Sequence, residues 1–269
     1  MAKAFSLASW NVEHFKKDDN RIKRIIQFLE AQDPDVFGLL EVEGKEVFSI
    51  LVEEMPNYQF HITEGPQVQE VLVGVKSGIT AFFTQKAEFK AQIPTLRPGA
   101  LLTLTVDGNH YPILFLHTKS SSLPLGLGIR DDQFSRAFKF KKHLDETAGG
   151  AGKSNFIFLG DLNVMGMRYP FEKKIEPPFE VKKLDADAVK VKMRRLTKNK
   201  PTWWNGPGTN YKPADLDQVV ASEHLKFKHI GGADIDVRGW PALANVNDQA
   251  KWIKEYSDHG LLYLEVEKV

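Results

Sequence analysis

The sequence predicts an α+β layered sandwich, and three observations carry that prediction. Short apolar runs recur from one end of the chain to the other, separated by Gly, Pro and Asn turns. A few segments show helical spacing of apolar residues instead, without strict alternation between the two kinds. No repeat, low-complexity tract or Gly/Ser linker divides the 269 residues, so residues 1–269 read as one domain.

The first strand is expected at Ala4 to Ser9. Arg21 to Ala31 then places Ile22, Ile25, Ile26 and Leu29 at helical spacing, with cations between them. Asp33-Pro34-Asp35 stops that helix, and Val36 to Leu40 reads as a buried strand. A second helix is expected over Glu46 to Glu54. Strand-like runs follow at Val71 to Val75, Ile79 to Phe83, Leu101 to Val106 and Ile113 to Leu116. Arg130 to Thr147 has the strongest helical pattern, with Phe134, Ala137, Phe138, Lys141 and Leu144 along one side. Phe156 to Leu159 is the next strand, and Met165 to Lys200 is the least regular stretch. Strands at Gln218 to Ser222 and Gly260 to Val266 close the chain.

Composition narrows the function. Apolar residues make up 42% of the chain, enough for a substantial core, and the formal net charge is +1. That charge neither demands nor excludes a polyanionic partner. The chain has no cysteine, which removes disulfides, thiolate metal sites and cysteine nucleophiles. Met1-Ala2-Lys3 runs straight into the first strand without a signal-like apolar stretch. No segment approaches the ~20 apolar residues needed to span a bilayer. A cytoplasmic protein, acting as a monomer, is the expectation.

Polar residues sit at the ends of these strands. Asn11, Glu41, His117 and Asp161 follow strand-like runs, whereas Asp217, Asp258 and His259 precede them. Antiparallel neighbours bring one strand's start beside the next strand's finish. Both groups can therefore share one edge of a sheet pair, as a single metal-dependent site requires.

The motifs Trp10-Asn11-Val12-Glu13, Leu40-Glu41, Leu116-His117, Gly160-Asp161-Leu162-Asn163, Leu216-Asp217-Gln218-Val219 and Ser257-Asp258-His259 occur in that order. Together they resemble the motif series of the endonuclease/exonuclease/phosphatase superfamily, over residues 4 to 266. The resemblance implies a four-layer α/β/β/α sandwich, with two mixed β-sheets face to face and helices outside. It also implies divalent-cation-dependent cleavage of a phosphate ester. Phosphoryl transfer needs a hard cation on the phosphate oxygens, a deprotonated water and stabilisation of developing charge. Carboxylate oxygens suit Mg²⁺ or Mn²⁺, so Glu41 is the first expected ligand, with Asp258 second and the Asn11 carbonyl as a neutral donor. By resemblance, His259 lies near the scissile phosphate and Asp217 fixes its tautomer. Asp161 would position or deprotonate water, and Asn163 would donate to a phosphate oxygen. His117 resembles the second histidine of the deoxyribonuclease-like branch, and Glu13 takes a position that is acidic in some relatives.

Substrate choice rests on weaker signals. Lys182 to Lys200 contains eight Lys or Arg against two Asp, immediately before Trp203 and Trp204. Cations beside aromatics suit a nucleic-acid groove, and equally a solvated element anchored by its tryptophans. Lys119, in the loop with Ser120 to Ser122, and Arg97 are further candidate phosphate contacts, while Arg168 and Trp240 fall in nearby loops. Val164-Met165-Gly166 departs from the tyrosine and arginine that resemblance to inositol 5-phosphatases would require, and Pro201 to Trp204 only loosely echoes their segment. No apolar membrane loop of the lipid-hydrolysing kind stands out. The reading is a phosphodiesterase that hydrolyses DNA, or RNA, as its nucleic-acid substrate. The alternatives are an enzyme for a small phosphorylated metabolite, inositol phosphate or lipid headgroup, and a non-catalytic binding module that keeps the fold.

Overall fold

The first strand, β1 (Lys3–Phe15), shows how the layers form. Every residue from Phe5 to Val12 is buried, so both faces of the strand are covered. Phe5 and Leu7 join one apolar cluster, while Ala8, Trp10 and Val12 join another on the opposite face. A strand covered on both sides lies in an inner layer of a stack. The computed structural model describes residues 2–170 and 173–269. Met1 and residues 171–172, the latter within the stretch expected to be irregular, lie outside the described residues.

Helix α1 (Asp19–Gln32) is N-capped by Asp18, whose carboxylate accepts from the Arg21 N–H, and it buries Ile22, Ile25, Ile26 and Leu29. After it come β2 (Val36–Val42), α2 (Lys45–Glu54), β3 (Tyr58–Ile62), β4 (Glu70–Lys76) and β5 (Thr80–Lys86). The middle of the chain holds β6 (Gly99–Val106), β7 (Asn109–Phe115), α3 (Pro124–Thr147) and β8 (Ile157–Asp161). The chain ends with α4 (Pro177–Val189), β9 (Met193–Arg195), β10 (Asp217–Ser222), β11 (Asp236–Arg238), α5 (Val246–Glu255) and β12 (Leu261–Glu267).

Two six-stranded sheets result, in the orders β11-β12-β1-β2-β4-β3 and β5-β6-β7-β8-β10-β9. Each is mixed, with one parallel pair: β1 with β2 in the first and β7 with β8 in the second. Their facing sides form one core in which Leu40, Val73, Leu102, Phe115, Leu159, Val219 and Leu264 meet. Gly38 allows the close approach, because a Cβ there would lie 2.3 Å from the Phe115 ring. The outer face of the first sheet is covered by α1 and α2 through Ile25, Leu29, Val47 and Leu51. The outer face of the second packs on α3 and α4 through Phe134, Ala137, Leu184 and Ala188. The fold is the predicted α/β/β/α sandwich.

Several elements differ from the sequence expectation. β1 runs on past Ser9 to Phe15, so Asn11 lies inside the strand. α3 starts at Pro124 rather than Arg130, with proline in the first turn where its missing N–H is harmless. Unpredicted α4 buries only Glu180, Leu184 and Ala188, and unpredicted α5 buries no residue fully, so neither shows a broad apolar stripe. Among the described residues no helix is long and apolar enough to cross a membrane.

Candidate active site

Strand pairing brings the scattered polar residues to one end of the two sheets. In the first sheet Asn11 of β1 pairs with Leu40 of β2, placing Glu41 one residue further on. In the second, Asp161 and Asp217 are direct partners across the antiparallel β8–β10 pair. The parallel β7–β8 alignment continues past the strand end through Leu116 N–H to Leu159 O and Thr118 N–H to Asp161 O, which fixes His117 between them. Gly160 makes this possible, since it sits at φ 132° and a Cβ would lie 2.2 Å from the Leu116 carbonyl oxygen. His259 is tied down by a bridge to Trp203 and by its carbonyl, which accepts from the Trp10 indole at 2.9 Å. Ser257 Oγ accepts from the His259 N–H and donates to Asn11 O, tying the segment that precedes β12 to β1.

Glu41, His117, Asp161, Asn163, Asp258 and His259 all line one cavity of about 590 Å³. His259 Nδ1 lies 2.8 Å from Asp217 Oδ2, while its Nε2 lies 3.8 Å from Asp161 Oδ2 and 3.9 Å from Asp258 Oδ1. His117 Nε2 lies 3.6 Å from Glu41 Oε1 and 3.5 Å from Asp161 Oδ2. The Asn11 amide donates to both Glu41 Oε1 and Asp161 Oδ2, at 3.0 Å each, and its carbonyl accepts from the Glu13 N–H. Asn11 therefore faces the carboxylates with its NH₂ group. Glu41 also accepts from the His14 N–H and from Gln69, and it occupies the left-handed region at φ 64°. Such strain in a non-glycine residue costs ~1–3 kcal/mol and persists only where surroundings enforce it. Asn163 (φ 49°) folds its own N–H back to Asp161 Oδ1 at 3.0 Å and donates from Nδ2 to Thr118 O.

Electrostatics separates the two histidines. Burial opposes a charge on His259, but Asp217, Asp161 and Asp258 outweigh it and push its pKa up to about 10. Burial holds His117 well below the ordinary imidazole value, and Arg97, His259 and His14 add to the effect. Asp161 is raised, chiefly by burial, against the opposing pull of His259. Burial also raises Asp258, whose Oδ2 accepts from the Trp203 indole at 2.6 Å.

Of the other expected residues, Glu13 and Trp203 line the cavity. Glu13 Oε2 accepts from the Asp258 N–H at 3.3 Å. Arg97 is half-buried, donates to Gln69 and feels the charges of Glu41 and Asp161. Lys119 is tied by its backbone to Gln133 and Arg130 of α3, and it is not among the residues lining the cavity. Trp204 is only 9% exposed and packs on Trp240, with its indole donating to Tyr211 O, so it does not present a ring face to a substrate. Trp240 itself is buried and donates to Asp258 O. The cations of the basic strip at Lys182 to Lys200 are largely matched by carboxylates. Lys183, Lys190, Lys192, Arg194, Arg195 and Lys198 pair with Asp131 and Asp187, Asp187, Glu223, Asp234, Asp185 and Asp215 respectively. Sequence reasoning missed His14, Gln69, Met165, Asn205, Tyr211 and Lys212 around the site. No motif marks them; His14 lies in the unpredicted extension of β1, and the others arrive from loops whose course the sequence does not reveal.

The donor set fits a divalent cation. One ligand atom each from Glu41, His117 and Asp161 lies within 4.8 Å of the others, and the same holds for Asp161, Asp217 and His259. Glu13, Glu41, Asp161, Asp217 and Asp258 crowd one region, and burial lifts three of them above the ordinary carboxylate value. Added positive charge would relieve that.

The profile of the endonuclease/exonuclease/phosphatase family matches residues 8–259. No curated protein sequence is significantly similar to the chain. Among solved structures, truncated TDP2 of Caenorhabditis elegans has a TM-score of 0.68 at 15% identity, covering 98% of this chain and 98% of that one. TDP2 of D. rerio complexed with single strand DNA product scores 0.66 at 15% identity, covering 98% and 99%. A mannosyl-6-phosphatase of Bacteroides thetaiotaomicron scores 0.64 at 14% identity, covering 98% and 100%. At such identities the likeness is one of fold.

Proposed function

The chain belongs to the endonuclease/exonuclease/phosphatase family, whose members are divalent-metal-dependent phosphoester hydrolases, and on that premise we propose that it hydrolyses phosphodiester bonds of nucleic acid, DNA or RNA. The observation that carries this reading is the convergence of Glu41, Asp161, Asp258 and the Asp217–His259 pair on one cavity. One neighbour in fold is complexed with single strand DNA product, which accords with a nucleic-acid substrate, and another is a mannosyl-6-phosphatase.

Glu41 is assigned as the principal metal ligand, with Asp258, which lines the same cavity, as the second; Mg²⁺ or Mn²⁺ matches these oxygens. When bound, the cation supplies positive charge to the phosphate oxygens. Asn11 holds Glu41 and Asp161 in register through its amide hydrogens. Asp161, raised by burial, is suited to accept the proton of the attacking water. His259 keeps its proton at neutral pH and donates from Nε2 to the phosphate, while Asp217 fixes the ring through Nδ1. Asn163 uses one amide hydrogen on Thr118 O and has its second for a phosphate oxygen. His117, held neutral, lends Nε2 to an oxygen entering beside Glu41.

The size of the cavity favours a second reading, a phosphatase for a small phosphorylated molecule, because about 590 Å³ accommodates one small ligand. Plasmid, single-stranded oligonucleotide, RNA, bis-p-nitrophenyl phosphate, inositol phosphates and sugar phosphates, each with Mg²⁺, Mn²⁺ or EDTA, separate the two. Metal-dependent strand cleavage supports the nuclease. Phosphate release from small monoesters alone supports the second reading, and no turnover of any ester overturns both.

A further inference from the structure

Tyr211 is the large aromatic at this cavity that the chemistry above leaves unused. Its side chain is 56% exposed although it lines the same cavity as Asp161 and His259. The loop that carries it is pinned. Trp204 Nε1 donates to Tyr211 O at 2.9 Å, and Ala214 and Trp203 exchange backbone hydrogen bonds at 2.8 and 3.0 Å just beyond it. The Tyr211 ring stands edge-on to Trp203, with centroids 5.6 Å apart and planes at 68°, and Trp203 is itself anchored to Asp258. The ring is thus held in place without being buried. Two cations, Arg168 and Lys212, are exposed and line the same cavity.

We propose that Tyr211, backed by Trp203 and accompanied by Lys212 and Arg168, forms a stacking subsite for one base of a single-stranded nucleic acid whose neighbouring phosphate enters the catalytic cavity. The proposal rests on the nuclease reading and deepens it. An exposed aromatic face beside cations is the combination that binds single strands, because every base has a π-face and every nucleotide a phosphate. A base within a duplex is already stacked and cannot offer that face without being extruded. The cations of the Lys182 to Lys200 strip, which a long duplex would need, are instead largely matched by carboxylates. A single phosphomonoester would engage the catalytic groups without needing both extra cations.

The test compares two single-stranded DNA oligonucleotides of one length, with normal nucleotides or with abasic units, using wild type, Tyr211→Ala and Tyr211→Phe. Folding is checked by thermal melting. Stacking predicts that the wild type prefers the base-bearing strand in kcat/KM. Tyr211→Ala lowers that preference about ten-fold or more, through KM, and Tyr211→Phe retains it. Lys212→Met should flatten the salt dependence of strand binding by ~0.7 in log–log slope, the share of one phosphate on a single strand. An unchanged preference in Tyr211→Ala, or an equal loss on both strands, overturns the proposal. A wild type that hydrolyses only small esters overturns it while leaving the hydrolase intact. If no ester is hydrolysed at all, the nuclease reading fails, and anisotropy of a labelled strand on wild type and Tyr211→Ala still decides the subsite. Equal affinity for the two proteins overturns it.

Discussion

Arg130 offers the sharpest quantitative test of how the site is held. Its guanidinium is fully buried and meets Glu180 bidentately, Nε to Oε1 at 2.6 Å and the terminal nitrogen to Oε2 at 3.0 Å. It also donates to the carbonyls of Lys119, Ser121 and Gly166, while Glu180 accepts from the Gly166 N–H. One ion pair thus ties the loop after His117 and the loop after Asn163 to α3 and α4. Arg130→Met leaves a buried carboxylate without its cation and strands three carbonyls. Breaking a buried pair from one side costs ~3–5 kcal/mol. Arg130→Met/Glu180→Leu removes the stranded charge as well, so it should be less destabilised than the sum of the single variants by at least ~2 kcal/mol. Urea unfolding followed by tryptophan fluorescence measures all four corners of the cycle. The folded single variant should also lose kcat, because Asn163 and Ser120 ride on the untied loops. Arg130→Met within ~1 kcal/mol of wild type, or additive single effects, would refute the reasoning.

Three further outcomes are expected. His259→Ala should lower kcat by roughly 10³-fold, in the range for loss of a positioned acid, in a variant whose circular dichroism shows it folded; a fully active variant would remove its assignment. Asp145 is buried, yet Lys141 and the Ser154 and Gly152 donors more than offset that burial and hold its pKa down to about 2. A depressed carboxylate stabilises the fold above its unfolded pKa and loses that as pH falls through the folded value. The ~2 kcal/mol advantage of wild type over Asp145→Asn should therefore shrink between about pH 4 and pH 2 in urea titrations. Gly160→Ala forces a Cβ against the Leu116 carbonyl at a φ that L-residues avoid, so it should cost ~2–3 kcal/mol and misplace His117; a silent variant would contradict the close approach.

Much of this molecule is legible in the chain because its inner strands are apolar on both faces and stop at polar residues. Val36 to Leu40, Ile113 to Leu116 and Phe156 to Leu159 announce themselves, and so do the groups at their ends. The convergence of Asn11, Glu41, Asp161, Asp217 and His259 follows from the parallel β1–β2 pair together with the antiparallel β8–β10 and β1–β12 pairs, which the sequence order permits but does not dictate. Elements that bury little stay hidden: α5 buries no residue fully, and β9 and β11 span three residues each. Charge misleads for a related reason. Lys182 to Lys200 reads as a basic strip because Asp131, Asp215, Glu223 and Asp234, which match its cations, lie far off in sequence. Gln69 escapes notice for the same cause, since its partner Glu41 is 28 residues away. Trp204 looks like a stacking platform until the packing of Trp240 covers it.

The decisive measurement is phosphodiester hydrolysis titrated with Mn²⁺, in wild type and Glu41→Gln. One shared cation at Glu41, serving a proton acceptor at Asp161 and a charged His259, requires no turnover in EDTA and saturable recovery with metal. Glu41→Gln should then need at least ~10-fold more metal for half its rate. Turnover that persists in EDTA, or a metal dependence identical in the two proteins, would contradict it.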